Sequence, residues 1–352
     1  LPRRPGSERT ADGRVVRLRD AAVAAGTLAA VGLDEDAEAA ERWLRLAVED
    51  AALPWPTALA ADGGPAHEEE QVALAGWRGG QPVVAGVPTG LLDHDLYGDV
   101  VEAVSASQAG PWGRGGAGPL AGAGPALAAA ADWLADHWEG PDAGVWGARG
   151  RPARLTASAA QAWVALSGMA RRAVAANPLD LAAATWRAEA ARVLAWLEAQ
   201  AAAHRAGSGG VAGLRRDDSG ADRCDAALLR LAWQGPWPVE HPIVAATVDL
   251  VLERLGTGPL LYRVSEEVDE GRAGPDSPDL LASLWAVRAL ARLGRWEEAH
   301  QRFEAVVGLG GGLGILAEAA DPISGELLGN LPSAGVHLAL LDAAVALGAG
   351  PA

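Results

Sequence analysis

Residues 278–307 read PDLLASLWAVRALARLGRWEEAHQRFEAVV. Apolar side chains recur at three- and four-residue spacing on both sides of Gly294, which predicts two helices, 278–293 and 295–307, with one glycine between them. So short a joint makes the two helices antiparallel neighbours. The same reading, carried outward, finds helices at 19–32, 35–50, 91–107, 119–138, 156–175, 178–203, 222–232, 241–255, 311–318 and 332–347 as well. Ala, Leu, Arg and Glu fill these segments, and Gly, Pro and Asp clusters punctuate them. Strand-like alternation is scarce. The total is twelve, the number that six helical hairpins require.

Two architectures use such hairpins: an open solenoid and a closed ring. A solenoid should show self-similarity at a fixed period of ~20–50 residues, and none is visible beyond shared alanine richness. Long loops at 51–90, 108–118, 139–155, 204–221 and 256–277 favour a closed ring with functional loops on one rim. The expected fold is therefore all-α, an (α/α)6 barrel occupying 15–347 as a single domain, with short tails at 1–14 and 348–352.

Composition narrows the partners. The 352 residues carry 29 basic and 45 acidic side chains, a net charge of −16. That field repels phosphate backbones, and no basic stripe offsets it, so nucleic acid is not an expected partner. No apolar run reaches the ~18–20 residues of a membrane span. One cysteine, Cys224, excludes an internal disulfide framework. Leu1 to Arg14 lacks the apolar core of a secretory leader, which makes a cytoplasmic location the expectation. Every basic residue other than histidine is arginine, a bias best read as that of a GC-rich genome. The 14 tryptophans are the composition's one hint of sugar, since indole faces stack on sugar rings, although core packing accounts for most of them. The Glu68-Glu69-Glu70 run reads as a solvated face. No His-Glu-x-x-His, paired cysteines or phosphate loop is present, so neither metal nor cofactor is expected.

Six blocks in order resemble the catalytic domain of family 15 glycoside hydrolases, the glucoamylase and trehalase type. Arg19-Asp20 stands where that family has W-L-R-D-A. Gly76-Trp77-Arg78-Gly79-Gly80-Gln81-Pro82-Val83 followed by Asp95-Leu96-Tyr97-Gly98 is similar to G-Y-x-G-S-x-P-V and L-D-x-Y-G. Trp138 to Gly150, WEGPDAGVWGARG, resembles W-x-x-P-D-x-G-I-W-E-x-R-G, and runs on through Thr156 and Ser158 into Trp163-Val164-Ala165-Leu166. Asp225-Ala226-Ala227-Leu228-Leu229 resembles L-D-A-s-L-L. Leu316 to His337 resembles L-x-E-E-Y-D-P-x-T-G-x-x-L-G-N-F-P-Q-A-F-S-H. The resemblance implies the (α/α)6 barrel and an inverting α-glucosidase whose ligand is a small oligosaccharide or α-glucoside. It also implies an N-terminal β-sandwich, usual in bacterial members, which this sequence does not contain.

Inverting hydrolysis uses two carboxyl groups, one to protonate the leaving oxygen and one to activate water. By the resemblance the general base is Glu318, and the general-acid position is Gly147, which has no side chain to offer. Glu139, eight residues earlier, is a candidate surrogate acid. Arg19, Asp20, Trp77, Asp142, Trp146 and His337 are the expected sugar-binding residues. Arg19 and Asp20 read equally well as a helix cap with a salt bridge, Glu318 as a solvated helix end, and Asp225 as the start of a helix. Other family positions have also lost polar or aromatic groups: Val84, Val87, Ala159, Ser167, Leu331 and Gly335. Losses concentrated on pocket positions, with helix-packing residues kept, point to a catalytically impaired relative. The alternative is a non-catalytic sugar- or protein-binding or structural domain of a larger polypeptide.

Overall fold

The computed structural model describes residues 3, 12–74, 84–109, 124–177, 180–204, 211–266, 268, 271 and 276–350. Among them, helices form two concentric rings. The inner ring consists of α1 (Leu18–Ala30), α3 (Asp95–Ala109), α5 (Thr156–Ala176), a 3-10 helix (Ala226–Ala232), α8 (Leu280–Arg292) and α10 (Ala334–Gly348). Each packs against the next, and α10 returns to α1, so the ring is closed. The outer ring is α2 (Asp34–Asp50), α4 (Gly124–His137), α6 (Leu181–Ala203), α7 (Pro242–Leu255) and α9 (Trp296–Leu309). Asp342 of α10 fastens the closure: it accepts from Thr27 of α1 at 2.8 Å and from Arg288 of α8 at 2.8 Å.

The inner ring is buried on most of its faces. From Thr156 to Ala170, α5 has thirteen buried residues, six of them alanine, and the small side chains let its neighbours approach closely. Leu18, Leu44, Leu166 and Leu197 have no exposed surface; each such leucine contributes roughly 1.5–3 kcal/mol by leaving water.

Two expected helices change form. The segment 311–318 is helical only over Gly311–Leu313, then runs extended. Gly311 and Gly314 sit at φ +54° and +65°, the left-handed region that ends a helix. A glycine turn thus stands where that helix was expected, joining α9 to α10, and the outer ring has five members among the described residues. The segment 222–232 shortens to the 3-10 helix, capped by Asp225, whose Oδ1 accepts from the Ala227 amide at 2.8 Å. The helix expected at 91–107 starts at Asp95, because Asp93 Oδ1 accepts from the amides of Asp95 (3.1 Å) and Leu96 (3.3 Å) and holds the entry non-helical.

Four two-stranded antiparallel ribbons decorate the loops: β1 (Val16–Arg17) with β2 (Ala58–Leu59), β3 (Glu70–Gln71) with β4 (Val84–Ala85), β5 (Gly256–Thr257) with β6 (Leu260–Leu261), and β7 (Ala319–Ala320) with β8 (Leu327–Leu328). Two residues per strand are too few to show alternation in a sequence.

Candidate active site

The loops preceding α1, α5, α8 and α10 meet around one cavity of about 240 Å³. Arg19, Asp20, Trp146, Gly147 and Glu318 all line it. They come from three segments spread across three hundred residues, so only the closed ring brings them together.

Glu318 immediately precedes β7. Its carboxylate accepts from the Asn330 side-chain amide at Oε1 (3.2 Å) and from the Asn330 backbone amide at Oε2 (3.2 Å). Backbone bonds fix the segment on both sides: the Glu318 amide donates to the Asn330 carbonyl at 3.2 Å, and the Leu280 amide donates to the Glu318 carbonyl at 2.9 Å. Gly329 has φ +78°, and a Cβ there would stand 2.7 Å from Glu318 Oε2. The carboxylate is thus held in place and half-buried in the wall, not carried on a solvated helix end.

His337 does not line the cavity. Its Nδ1 donates to the Ser333 carbonyl at 2.7 Å while Nε2 accepts from the Leu316 amide at 3.3 Å. Those roles require the neutral ring with its proton on Nδ1. The imidazole ties α10 to the segment leading into Glu318, outside the cavity lining in which the sequence reading expected it.

Gly147 lies in a tight turn, its amide donating to the Gly144 carbonyl at 3.0 Å, at φ +61°. A Cβ added there would meet only Leu91, at 3.9 Å. Space for a side chain exists, yet the backbone has settled where L-residues with side chains are rare. Beside it Trp146 donates from Nε1 to Asp225 Oδ1 at 2.8 Å and lies under the Arg263 guanidinium, 5.7 Å from the ring centroid. Asp225 thereby joins the 3-10 helix cap to the cavity wall.

Arg19 is not a cap. It is the second residue of α1, and the N-cap, Arg17, makes no side-chain bond. Arg19 Nη2 donates to Asp93 at 2.5 Å, Nε to Asp99 at 3.1 Å and Nη1 to the Val145 carbonyl at 3.4 Å. Deeper still, Arg230 binds both Asp95 and Asp99. Burial pushes the Asp99 carboxyl up to about 6 in spite of the two guanidinium groups beside it. This cation–carboxylate lattice forms the cavity floor and stiffens it.

Two expected site residues stand elsewhere. Glu139 is exposed, ion-paired with Arg192 of α6, and lines no part of the cavity. Asp142 is also absent from the lining: Oδ2 accepts from the His94 amide at 2.9 Å, and burial, reinforced by Asp93, pushes its carboxyl up to about 8. Trp77 lies outside the described residues.

The cavity also contains groups the sequence reading passed over. Glu69, read as part of a solvated run, turns inward and forms a two-pronged ion pair with Arg149, one contact at 2.6 Å. Asp12, Asp93, Arg263, Asp279 and Asn330 line it too. Arg149 and Asn330 stood inside the resemblance blocks and were available to find; Glu69 gave no signal in its own neighbourhood. Among the described residues, no group of His, Cys, Asp and Glu is arranged to hold a metal ion, and no helix is long and apolar enough to cross a membrane.

The family model described as glycosyl hydrolases family 15 matches residues 5–306. The chain belongs to glycosyl hydrolases family 15. Among family relatives it is similar to the trehalases of Mycolicibacterium smegmatis (29% identity, 98% of this chain, 51% of the relative) and Mycobacterium tuberculosis (29%, 98% and 50%). The chain thus spans about half the length of these relatives. Its fold matches a glycosidase variant solved in complex with glucose (TM-score 0.72, 19% identity, 96% of this chain and 89% of that one). It also matches a bacterial glucoamylase complexed with acarbose (TM-score 0.70, 14% identity, 95% and 49%). The family 15 chain is accordingly an (α/α)6 barrel with an open cavity at one end of its inner ring.

Proposed function

We propose that this family 15 chain binds an α-glucoside in the cavity between Glu318 and Gly147 and hydrolyses it poorly, retaining the general base while lacking the general acid. The observation that carries the reading is the pairing of an oriented carboxylate with a bare turn across one cavity. Glu318 is held by Asn330, and Gly147 occupies the acid's place in the family pattern without a side chain.

Most of the remaining carboxylates around the cavity are engaged. Glu69 is bound by Arg149, Asp12 by Arg14, Asp93 by Arg19 and Asp279 by Arg3. Each of these carboxylates is fixed in an ion pair, so none is free to swing to the leaving oxygen as a surrogate acid. Asp20, on the first turn of α1, is left to receive sugar hydroxyls. The trehalase relatives and the glucose- and acarbose-bound neighbours support an α-glucoside as the ligand.

Without a general acid the sugar–oxygen bond must break to release an unprotonated alkoxide, which forfeits ~10²–10⁴-fold in rate. Fluoride leaves without a proton. The chain should therefore release fluoride from α-glucosyl fluoride, with Glu318→Gln abolishing that release, while maltose and trehalose turn over near background. Strong turnover of maltose or trehalose by the wild-type chain would sink the proposal. Loss of both fluoride release and calorimetric sugar binding would favour a structural or protein-binding domain instead.

A further inference from the structure

Among the described residues, the arginines lining the candidate cavity are Arg3, Arg17, Arg19, Arg149 and Arg263. All but one are committed to carboxylates. Arg3 and Arg263 each hold Asp276 at 2.8 Å, Arg19 holds Asp93 at 2.5 Å, and Arg149 holds Glu69. Arg17 is the exception: its side chain makes neither an ion pair nor a hydrogen bond with any described residue. Its place is nevertheless fixed. Arg17 ends β1, paired with Ala58 of β2, and the next amide, of Leu18, donates to the Thr57 carbonyl at 3.3 Å. It is also the N-cap of α1, where the helix dipole favours an anion. The guanidinium is thus an exposed, unpaired positive charge in the cavity wall, carried on an anchored backbone. Arg17 stands at the tryptophan of the W-L-R-D-A pattern, so a cation occupies the place of an uncharged indole.

This cation and the bare turn at Gly147 line the same cavity, and each bears on the chemistry of the other. A sugar alkoxide leaves with difficulty unless an acid protonates it, and Gly147 offers no acid. Phosphate is a different leaving group. It departs as a stable anion and needs a positive charge beside it more than it needs a proton. Arginine meets that need: it stays charged across the working pH range, and its planar fork matches two phosphate oxygens. The same permanence of charge bars Arg17 from acting as a general acid.

We infer that the cavity serves α-glycosyl phosphates, with Arg17 receiving the departing phosphate in place of the missing acid. The inference rests on Glu318 being the base and Gly147 the empty acid position. Glu318 takes a proton from water as the water oxygen bonds to the anomeric carbon. The bond from that carbon to the phosphate oxygen breaks, and its electron pair leaves on the phosphate. The products are the β-anomer of the sugar and inorganic phosphate, and Glu318 then returns its proton to solvent.

α-D-Glucose 1-phosphate is the probe, with maltose and α-glucosyl fluoride beside it. Phosphate release should exceed maltose hydrolysis about 100-fold in kcat/KM, and Glu318→Gln should abolish it. In water labelled with heavy oxygen the released phosphate should stay unlabelled, because the carbon–oxygen bond and not the phosphorus–oxygen bond is cut. Arg17→Gln should lower phosphate release roughly tenfold more than it lowers fluoride release, and Arg17→Lys should recover part of the difference. Labelled phosphate overturns the inference, as does an Arg17→Gln variant that loses both activities equally. Fluoride release without phosphate release also overturns it and leaves the hydrolase lacking its acid standing. Release of neither overturns both readings.

Discussion

Asn330 grips both carboxylate oxygens of Glu318, one through its side-chain amide and one through its backbone amide, each at 3.2 Å. The two residues lie on opposite sides of the turn joining β7 to β8, so the ribbon sets the aim of the carboxylate. Removing the side-chain half of this grip with Asn330→Ala should lower α-glucosyl fluoride hydrolysis about tenfold with little change in KM, because positioning and not binding is lost. Gly329→Ala should do more. It sets a Cβ 2.7 Å from Oε2 at φ +78°, and its destabilisation, about 1–2 kcal/mol in denaturant titration, should accompany loss of fluoride release.

Gly147→Glu places a carboxylate where the proposed function lacks its acid. The φ of +61° costs a side-chain-bearing residue roughly 1–2 kcal/mol, so the variant should be less stable by that amount. Maltose hydrolysis should nonetheless rise above the wild-type background, and the gain should vanish in Gly147→Glu, Glu318→Gln. No gain in a folded variant would show that other changes in the cavity wall, Val87 among them, and not position 147 alone, limit the rate.

Asp142 makes stability depend on pH in a defined direction. Its folded carboxyl titrates at about 8, whereas the unfolded one ionises near ~4. The folded state retains a proton that the unfolded state sheds, so this stabilisation is complete below the unfolded value and drains away as pH rises toward 8. His94, held down to about 4 by burial, opposes it, contributing above ~6.5 and losing stability as pH falls below that. Between pH 6.5 and 8 Asp142 therefore acts without that opposition. Asp142→Asn, which keeps an acceptor for the His94 amide, should flatten the fall in Tm across this window. A wild-type Tm that rises from pH 6.5 to 8, or a variant that falls as steeply, would contradict the assignment.

Arg230 is 4% exposed and bridges Asp95 and Asp99, both buried. Arg230→Leu leaves two carboxylates without their shared cation, and the expected loss is about 3–5 kcal/mol in denaturant unfolding. Adding Asp95→Asn should recover part of that loss. Equal loss in the single and double variants would mean that packing and not charge holds the floor.

The family and the rings were legible because both are written in local patterns. Helices α5, α8 and α9 follow the three- and four-residue apolar spacing closely, and Arg19, Trp146, Gly147 and Glu318 stand in ordered blocks that survive divergence. The misreadings share one cause. Glu69, Glu139 and Asp142 are all acidic residues in loops, and nothing local separates one that turns into a cavity from one that pairs on the surface or is buried behind the wall. His337 was placed correctly in sequence, yet its two ring bonds, to Ser333 and Leu316, are decided by how α10 meets the β7 strand.

By itself the amino-acid sequence determined the helical hairpins, the family, and the glycine at position 147 on which the proposed loss of the acid rests. These depend on periodicity and residue identity, which are properties of the chain alone. Tertiary structure decided which charges are partners and where space is left. Arg19 became the tie to Asp93 and Asp99, and Glu69 became the mate of Arg149. Each of these depends on residues distant in sequence meeting at one point, and ring closure alone sets those distances.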